Sequence, residues 1–325
     1  MTRRPTPRGG FTAMSTWIEI VGVEVPETAL QQAVALGRRL AEEWEWRFSR
    51  FRPESVLSRL NAANGDSIQV DQTFLEVLDD AWAGVRRTGG MFDPSILPSL
   101  EAAGYSRSIE QVTTEPVVAD APVGAAGLVA WHRVVLDRRN DTVQLPAGMC
   151  IDLGGIGKGA FVDRLAAELG DWPGGAVDAG GDIRVWGVPP SGDTWDVGVE
   201  NPQQPDTDIL SLRVVPGRGI GVATSGTYRR RWRSNGQTMH HLIDPRGGQP
   251  IRNGVQAVTA IAASVTAAEI ATKGLMLTVT REKAPDLFGV RCAVAVFDDG
   301  DYRIFDRNHY GQEWNGAAGC ACRAA

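Results

Sequence analysis

The second half of the chain is cut into short β-branched runs by Gly, Pro and Asp, and this pattern limits the folds it can adopt. "GAVDAGGDIRVWG" (Gly175 to Gly187), "WDVGVENP" (Trp195 to Pro202), "LSLRVVPGRGIGVATSG" (Leu210 to Gly226) and "VQAVTAIAAS" (Val255 to Ser264) read as strands between turns. "TAAEIATKGLMLTV", from Thr266, reads as a late helix, and "AVAVFDDGDYRIFD" (Ala293 to Asp306) as a strand pair turned at "DDGD". The N-terminal half holds most of the helical pattern. "STWIEIVGVEV", from Ser15, alternates like a first strand, and "PETALQQAVALGRRLAEEWEWRFSR" (Pro26 to Arg50) then repeats apolar residues at three- and four-residue steps. A second helix is predicted from Asp71, which can cap it, to Gly89 and Gly90, which can end it. Strands are expected between Pro116 and Pro146, with turn chemistry at "RRND". Runs of helices and runs of strands, rather than strict βα alternation, predict an α+β fold with mixed, mainly antiparallel sheets and packed helices. A single large domain is expected over residues 12–310, after a disordered leader at 1–11 and before a flexible tail at 311–325.

Composition narrows the function classes. With 325 residues, 43% of them hydrophobic, the chain can bury a sizeable core. A net charge of -6 and a pI near 5.4 argue against nucleic acid or an acidic membrane as the main partner. The basic cluster "YRRRWR" (Tyr228 to Arg233) reads equally as a solvated strand edge or a phosphate grip. Cys150, Cys292, Cys320 and Cys322 are too scattered for a disulfide framework, and the last two lack the spacing of a zinc or redox pair. No apolar signal region, lipid-accepting cysteine or membrane-length apolar run is visible, so no stable membrane insertion is expected and the cytoplasm is the expected compartment.

"CIDLGGIGKGAFVDRLAAEL" (Cys150 to Leu169) reads as a strand, a glycine loop and a helix. A phosphate-binding P-loop is excluded, because Asp152 stands where its first glycine belongs and Gly159 where its hydroxyl residue belongs. A relaxed dinucleotide fingerprint fits as Gly155, Gly157 and Ala160, with Asp178 as ribose partner, which keeps an NAD-linked oxidoreductase as an alternative. Exposed amides, a helix N-terminus near Lys158 and the lysine charge together suit a pyrophosphate. A tight strand-to-helix turn permitting close packing explains the glycines as well.

The loop does not stand alone. "FSRFRPESVLSRLN" (Phe48 to Asn61), "GGMFDPS" (Gly89 to Ser95), the glycine loop, "VDAGGDIRVWG" (Val177 to Gly187), "ATSGTYRR" (Ala223 to Arg230) and "HHLIDPRGGQP" (His240 to Pro250) follow in an order that resembles the ApbE family over roughly Met14 to Phe305. The resemblance implies an ApbE-like, T-fold-related domain and a magnesium-dependent FAD:protein FMN transferase. Such an enzyme cleaves FAD, attaches FMN by a phosphoester to a Thr or Ser of an acceptor flavoprotein, and releases AMP. A second alternative is a protein that holds FAD without turnover.

The resemblance also implies site residues. His241 matches the family base, with His240 its decoy on the opposite face of a predicted strand, and Asp244 and Arg246 belong to the same motif. Met14, Phe51, Ser55, Asn61, Asp93, Gly154, Gly155, Lys158, Asp178, Gly180, Gly181, Asp182, Thr224, Ser225 and Gly226 match segments that bind flavin, adenine or phosphate. Phe51 reads alternatively as a core aromatic, Ser55 and Asn61 as local caps, Asp244 as a turn residue and Arg246 as a rim charge. Many members carry Asp and Thr at i and i+4 of the late helix to hold Mg2+, where this chain has Glu269 and Lys273. Glu269 can still ligate, with Thr272 as substitute, whereas the Lys273 ammonium has no lone pair and is assigned to phosphate or to a helix-surface pair with Glu269.

Overall fold

The structure is a computed structural model that describes residues 4–107, 130–215, 219–234, 237–281 and 285–306. The chain forms two compact units. Segments 4–42, 158–225 and 254–306 make the first, and segments 43–157 and 226–253 the second.

The first unit is built on an eight-stranded sheet. Across it run β1 (Arg8–Ala13), β2 (Thr16–Val23), β6 (Gly174–Ala179), β7 (Ile183–Gly187), β10 (Ile220–Gly226), β15 (Val255–Ala262), β16 (Cys292–Phe297) and β17 (Tyr302–Asp306), in that order. β1 and β2, β2 and β6, β6 and β7, β7 and β10, β15 and β16, and β16 and β17 all pair antiparallel. Side chains alternate between the two faces. On one face Val21, Val185, Val222, Ile261 and Val294 pack with Trp195, Val197 and Leu212 of a hairpin, β8 (Trp195–Glu200) and β9 (Asp208–Val214). The other face, carrying Phe11, Ile18 and Ile20, meets helices. Gly37 of α1 (Glu27–Phe48) lies against Phe11, where an added Cβ would stand 2.7 Å from the ring and 3.3 Å from Leu165 of α5 (Gly157–Glu168). Gly221 of β10 meets the start of α6 (Val265–Thr278) as closely, with a built Cβ 2.1 Å from the Ser264 carbonyl carbon.

The second unit contains α2 (Val56–Ala62), α3 (Gln72–Arg87) and α4 (Leu97–Ala102). It also holds a three-stranded antiparallel sheet in the order β3 (Ser67–Gln69), β5 (Thr142–Gln144), β4 (Val135–Asp137). Two hairpins complete it: β11 (Arg231–Ser234) with β12 (Gln237–His240), and β13 (Ile243–Asp244) with β14 (Gln249–Pro250). Leu100, Ala103, Tyr105, Trp232 and Ile243 form a buried cluster, in which the Trp232 indole N–H donates to the Ala103 carbonyl at 2.7 Å.

The α+β class and the antiparallel pairing agree with the sequence. So do the helix capped by Asp71, whose carboxylate accepts the Phe74 amide at 2.9 Å, and the late helix, which begins one residue before Thr266. Two expectations change. Arg8 to Phe11, assigned to a disordered leader, form most of β1, because pairing with β2 satisfies their backbone. Gly10 is suited to that place, since a Cβ there would sit 2.3 Å from the Ile18 carbonyl oxygen and 2.7 Å from the Trp17 ring. The strand expected at Cys150 is irregular chain, in which the Asn61 side chain takes the place of a partner strand: its amide donates to the Ile151 carbonyl at 2.9 Å and accepts the Ile151 N–H at 2.9 Å. The tail at 311–325 lies outside the described residues.

Candidate functional site

In the first unit, polar groups gather where α5 starts. Lys158, its second residue, hydrogen-bonds the carboxylate of Asp182, which is 1% exposed. The Lys158 ammonium also lies 3.6 Å from Glu269, which is 2% exposed on α6. The other Glu269 oxygen accepts the Gly159 N–H at 2.9 Å, so this carboxylate satisfies one of the amides that a helix leaves open at its N-terminus, where the helix dipole favours negative charge. A Cβ on Gly159 would stand 2.9 Å from that oxygen and 3.0 Å from the Thr266 nitrogen. This glycine therefore allows α5 to approach the first turn of α6.

The end of β10 adds hydroxyls. Lys273 donates to Ser225 Oγ at 2.9 Å and lies 3.7 Å from Glu269. Thr272 Oγ1, fully buried, donates to the Glu269 carbonyl at 2.7 Å and lies 2.6 Å from Ser225 Oγ. Because the Thr272 proton is committed to that carbonyl, Ser225 donates to Thr272. The bonds run in one direction, from Lys273 through Ser225 and Thr272 to the α6 backbone. Thr224 Oγ1 meets Thr259 Oγ1 at 2.9 Å, and Gly226 ends the strand. α6 itself is fixed at its N-terminus by Ser264 and by Asp163 of α5, which accepts the Val265 and Thr266 amides at 3.0 and 2.9 Å and the Thr266 hydroxyl at 2.7 Å.

The turn from β6 to β7 holds Asp178, Gly180, Gly181 and Asp182. Both glycines have positive φ, +66° and +95°, and a Cβ on Gly180 would meet the Thr16 hydroxyl at 2.4 Å, so neither position suits a larger residue. Asp178 accepts the Gly181 N–H at 2.8 Å, and burial pushes its carboxyl above the usual aspartate range, with Glu19 opposite it on β2 adding to the effect. Met14 and Ser15 form the two-residue turn from β1 to β2, with φ of 50° and 56°.

In the second unit, Arg50 joins two motifs. Its Nε lies 2.6 Å from Asp152 Oδ2, and its guanidinium stands 4.2 Å from the centroid of the Phe51 ring and 4.8 Å from that of Tyr105. Phe51 is 40% exposed, which excludes the core-aromatic reading and leaves a ring able to stack on a planar ligand. Asp152 Oδ1 accepts the Gly154 N–H at 2.7 Å and so shapes the turn through Gly154 and Gly155 that leads into Gly157. Arg50 and Asp152 escaped the sequence reading, although the aspartate two residues before Gly154 is a side-chain turn signal. Ser55 caps α2 through the Ser58 amide at 3.0 Å. Asn61 braces Ile151, and Asp93, 3% exposed, accepts the Ser95 amide and hydroxyl and the Trp131 indole N–H. These three hold backbone in place.

The two adjacent histidines differ in local structure. His240 ends β12 and is 7% exposed, while His241 follows on a bend, half-buried, rather than on the strand expected for both. The Leu242 N–H reaches His240 Nδ1 at 3.3 Å, which leaves Nε2 to donate to the Ile251 carbonyl at 2.9 Å. Burial lowers the pKa of His240, and the ring is a neutral structural element. In the β13 to β14 turn, Arg246 binds both oxygens of Asp244, at 2.9 and 2.8 Å, and holds its carboxyl below the usual range.

These positions decide among the readings of the glycine loop. A dinucleotide fingerprint needs a parallel βαβ unit. Here β5 precedes the loop in a small antiparallel sheet, and β6, which carries Asp178, is antiparallel to both its neighbours. The nicotinamide reading therefore lacks its structural context.

The profile of the ApbE family matches residues 14–294. The FAD:protein FMN transferase of Salmonella typhimurium is 27% identical over 282 residues, covering 84% of this chain and 78% of that protein. The FAD:protein FMN transferase of Treponema pallidum is 31% identical over 250 residues, covering 71% and 67%. The crystal structure of the ApbE protein of Thermotoga maritima superposes with a TM-score of 0.77 at 25% identity, covering 92% of this chain and 96% of that one.

Proposed function

The chain belongs to the ApbE family, and on that premise we propose that it is an FAD:protein FMN transferase. The observation that carries this reading is the match along residues 14–294 to a family in which relatives covering most of the chain bear that name. In the reaction, a Thr or Ser hydroxyl of an acceptor flavoprotein attacks the FMN phosphorus. A new O–P bond forms, the bridging P–O bond of the pyrophosphate breaks, and AMP leaves with the bridging oxygen and its electron pair.

Each step has a candidate group. His241 takes the hydroxyl proton, and the Asp244–Arg246 pair fixes the turn that follows it. Lys158 and Lys273 supply positive charge to the phosphates, and the amide of Gly155 is assigned to the same role, while Gly154, whose N–H is held by Asp152, shapes the turn. Phe51 stacks on adenine, while Met14, Asp178, Gly180, Gly181, Asp182, Thr224, Ser225 and Gly226 line the flavin and its phosphate. Within the second unit, Ser55, Asn61 and Asp93 brace the chain that carries Phe51 and leads to the glycine loop.

Magnesium does not fit the residues that would hold it. Glu269 already receives two ammonium groups and an amide N–H, and Thr272 is committed to a carbonyl and to Ser225. Like unit charges about 4 Å apart repel by about 4 kcal/mol near a protein surface, and a divalent ion doubles that against each ammonium. Among the described residues no group of three or more His, Cys, Asp or Glu is placed to hold a metal ion.

The test is to incubate the protein with FAD and an acceptor flavoprotein and follow AMP by chromatography. AMP release that His241→Ala reduces by about a hundredfold or more, in the range of lost general-base catalysis, supports the proposal. Bound FAD that stays intact with an acceptor labelled by an active relative identifies a passive flavin binder instead.

A further inference from the structure

The carboxylate of Glu269 is 2% exposed and meets two lysines, whereas a solvated helix-surface pair needs neither the burial nor the second cation. One of those lysines, Lys158, also binds Asp182 and acts on the buried carboxyl of Asp178, so it is shared among several acidic groups. Lys273 differs from Lys158 in its anchoring. It stands 3.7 Å from Glu269, near the limit of an ion pair, and is aimed by the Ser225 hydroxyl at the end of β10. Its side chain keeps 17% of its surface exposed, while the carboxylate beneath is closed to solvent. The cation is thus the accessible member of the pair.

We propose that Lys273 is the fixed cation of phosphoryl transfer in this chain and that FAD binding and transfer proceed without a divalent metal. The inference rests on the transferase reading and assigns the charge that reading requires. As the bridging P–O bond breaks, negative charge grows on the AMP oxygens, and an ammonium held by Ser225 and Glu269 donates to them in place of a metal. Lys158 and the Gly159 amide keep Glu269 satisfied when Lys273 turns toward phosphate.

The experiment measures FAD affinity by flavin fluorescence in EDTA and in excess Mg2+, for the wild-type chain, Lys273→Met and Lys273→Arg, with far-UV circular dichroism as the folding control. The expected result is wild-type affinity equal within about twofold in the two buffers, a loss of about tenfold or more in Lys273→Met, the worth of one charge-assisted hydrogen bond, and retention of most affinity in Lys273→Arg. AMP release from FAD in the presence of acceptor should likewise persist in EDTA. Wild-type affinity or AMP release that needs Mg2+ overturns the inference while leaving the transferase reading intact. Full affinity in Lys273→Met overturns it too. FAD binding in neither buffer overturns the transferase reading, and the inference with it. The metal arm needs only the wild-type protein, so the inference stays falsifiable should Lys273→Met fail to fold.

Discussion

Asp178 shows how a residue proposed for the site carries a stability cost. Burial raises its folded pKa above its ordinary value near 3.8, and Glu19 on the neighbouring strand adds like charge. Between the two pKa values the folded state holds more protons than the unfolded state, so stability falls as pH rises through this window, and the cost is fully present above the folded pKa. Asp178→Asn keeps the acceptor oxygen for the Gly181 amide and removes the buried charge. Its melting temperature should exceed that of the wild type at pH 7, with the difference shrinking as pH falls toward 4; equal melting at pH 7 contradicts this account. At this scale the sequence revealed residue types more readily than partners. The glutamate and lysine of α6 were visible as a departure from the family pattern, but the second cation on Glu269 is Lys158, next to the Gly159 whose amide reaches Glu269 across 110 residues, and no spacing reveals it. Ser55 proved to be the local cap that its type also allowed, whereas Asn61 braces Ile151, 90 residues away.

Among the elements, α6 depends on α5 for its start. Asp163 accepts two amides and a hydroxyl from the first turn of α6 and also lies 3.5 Å from Arg184, so one side chain ties helix to helix and to β7. Asp163→Ala should cost about 2 kcal/mol in urea unfolding, as expected for a lost cap with further hydrogen bonds. A change below about 0.5 kcal/mol would show that Ser264 suffices alone. Helices were legible in the sequence because their period and caps are local, as at Asp71. β1 was not, because "RGGFTA" has the composition of a leader and becomes a strand only by pairing with β2. The segment before the glycine loop failed for the converse reason: it is apolar, yet its partner is the Asn61 amide, which no strand pattern encodes.

Over the whole molecule, each compact unit is assembled from separated stretches of chain. Fragment 43–157 contains Leu100, Ala103 and Tyr105 but lacks Trp232 and Ile243, which complete their cluster. Expressed alone, it should show no cooperative thermal transition by near-UV circular dichroism; a sharp transition would contradict the described core. This discontinuity is not legible in the sequence, since no linker marks a boundary where the chain crosses between units within α1 and at the start of α5. The central claim is group transfer from FAD to another protein, and the measurement that tests it most directly is the intact mass of an acceptor flavoprotein after incubation with this chain and FAD. The account predicts a single FMN-sized increase, matched mole for mole by AMP and absent when the acceptor Thr or Ser is replaced by Val or Ala. An acceptor mass that stays unchanged here, while an active relative labels the same acceptor, would contradict it.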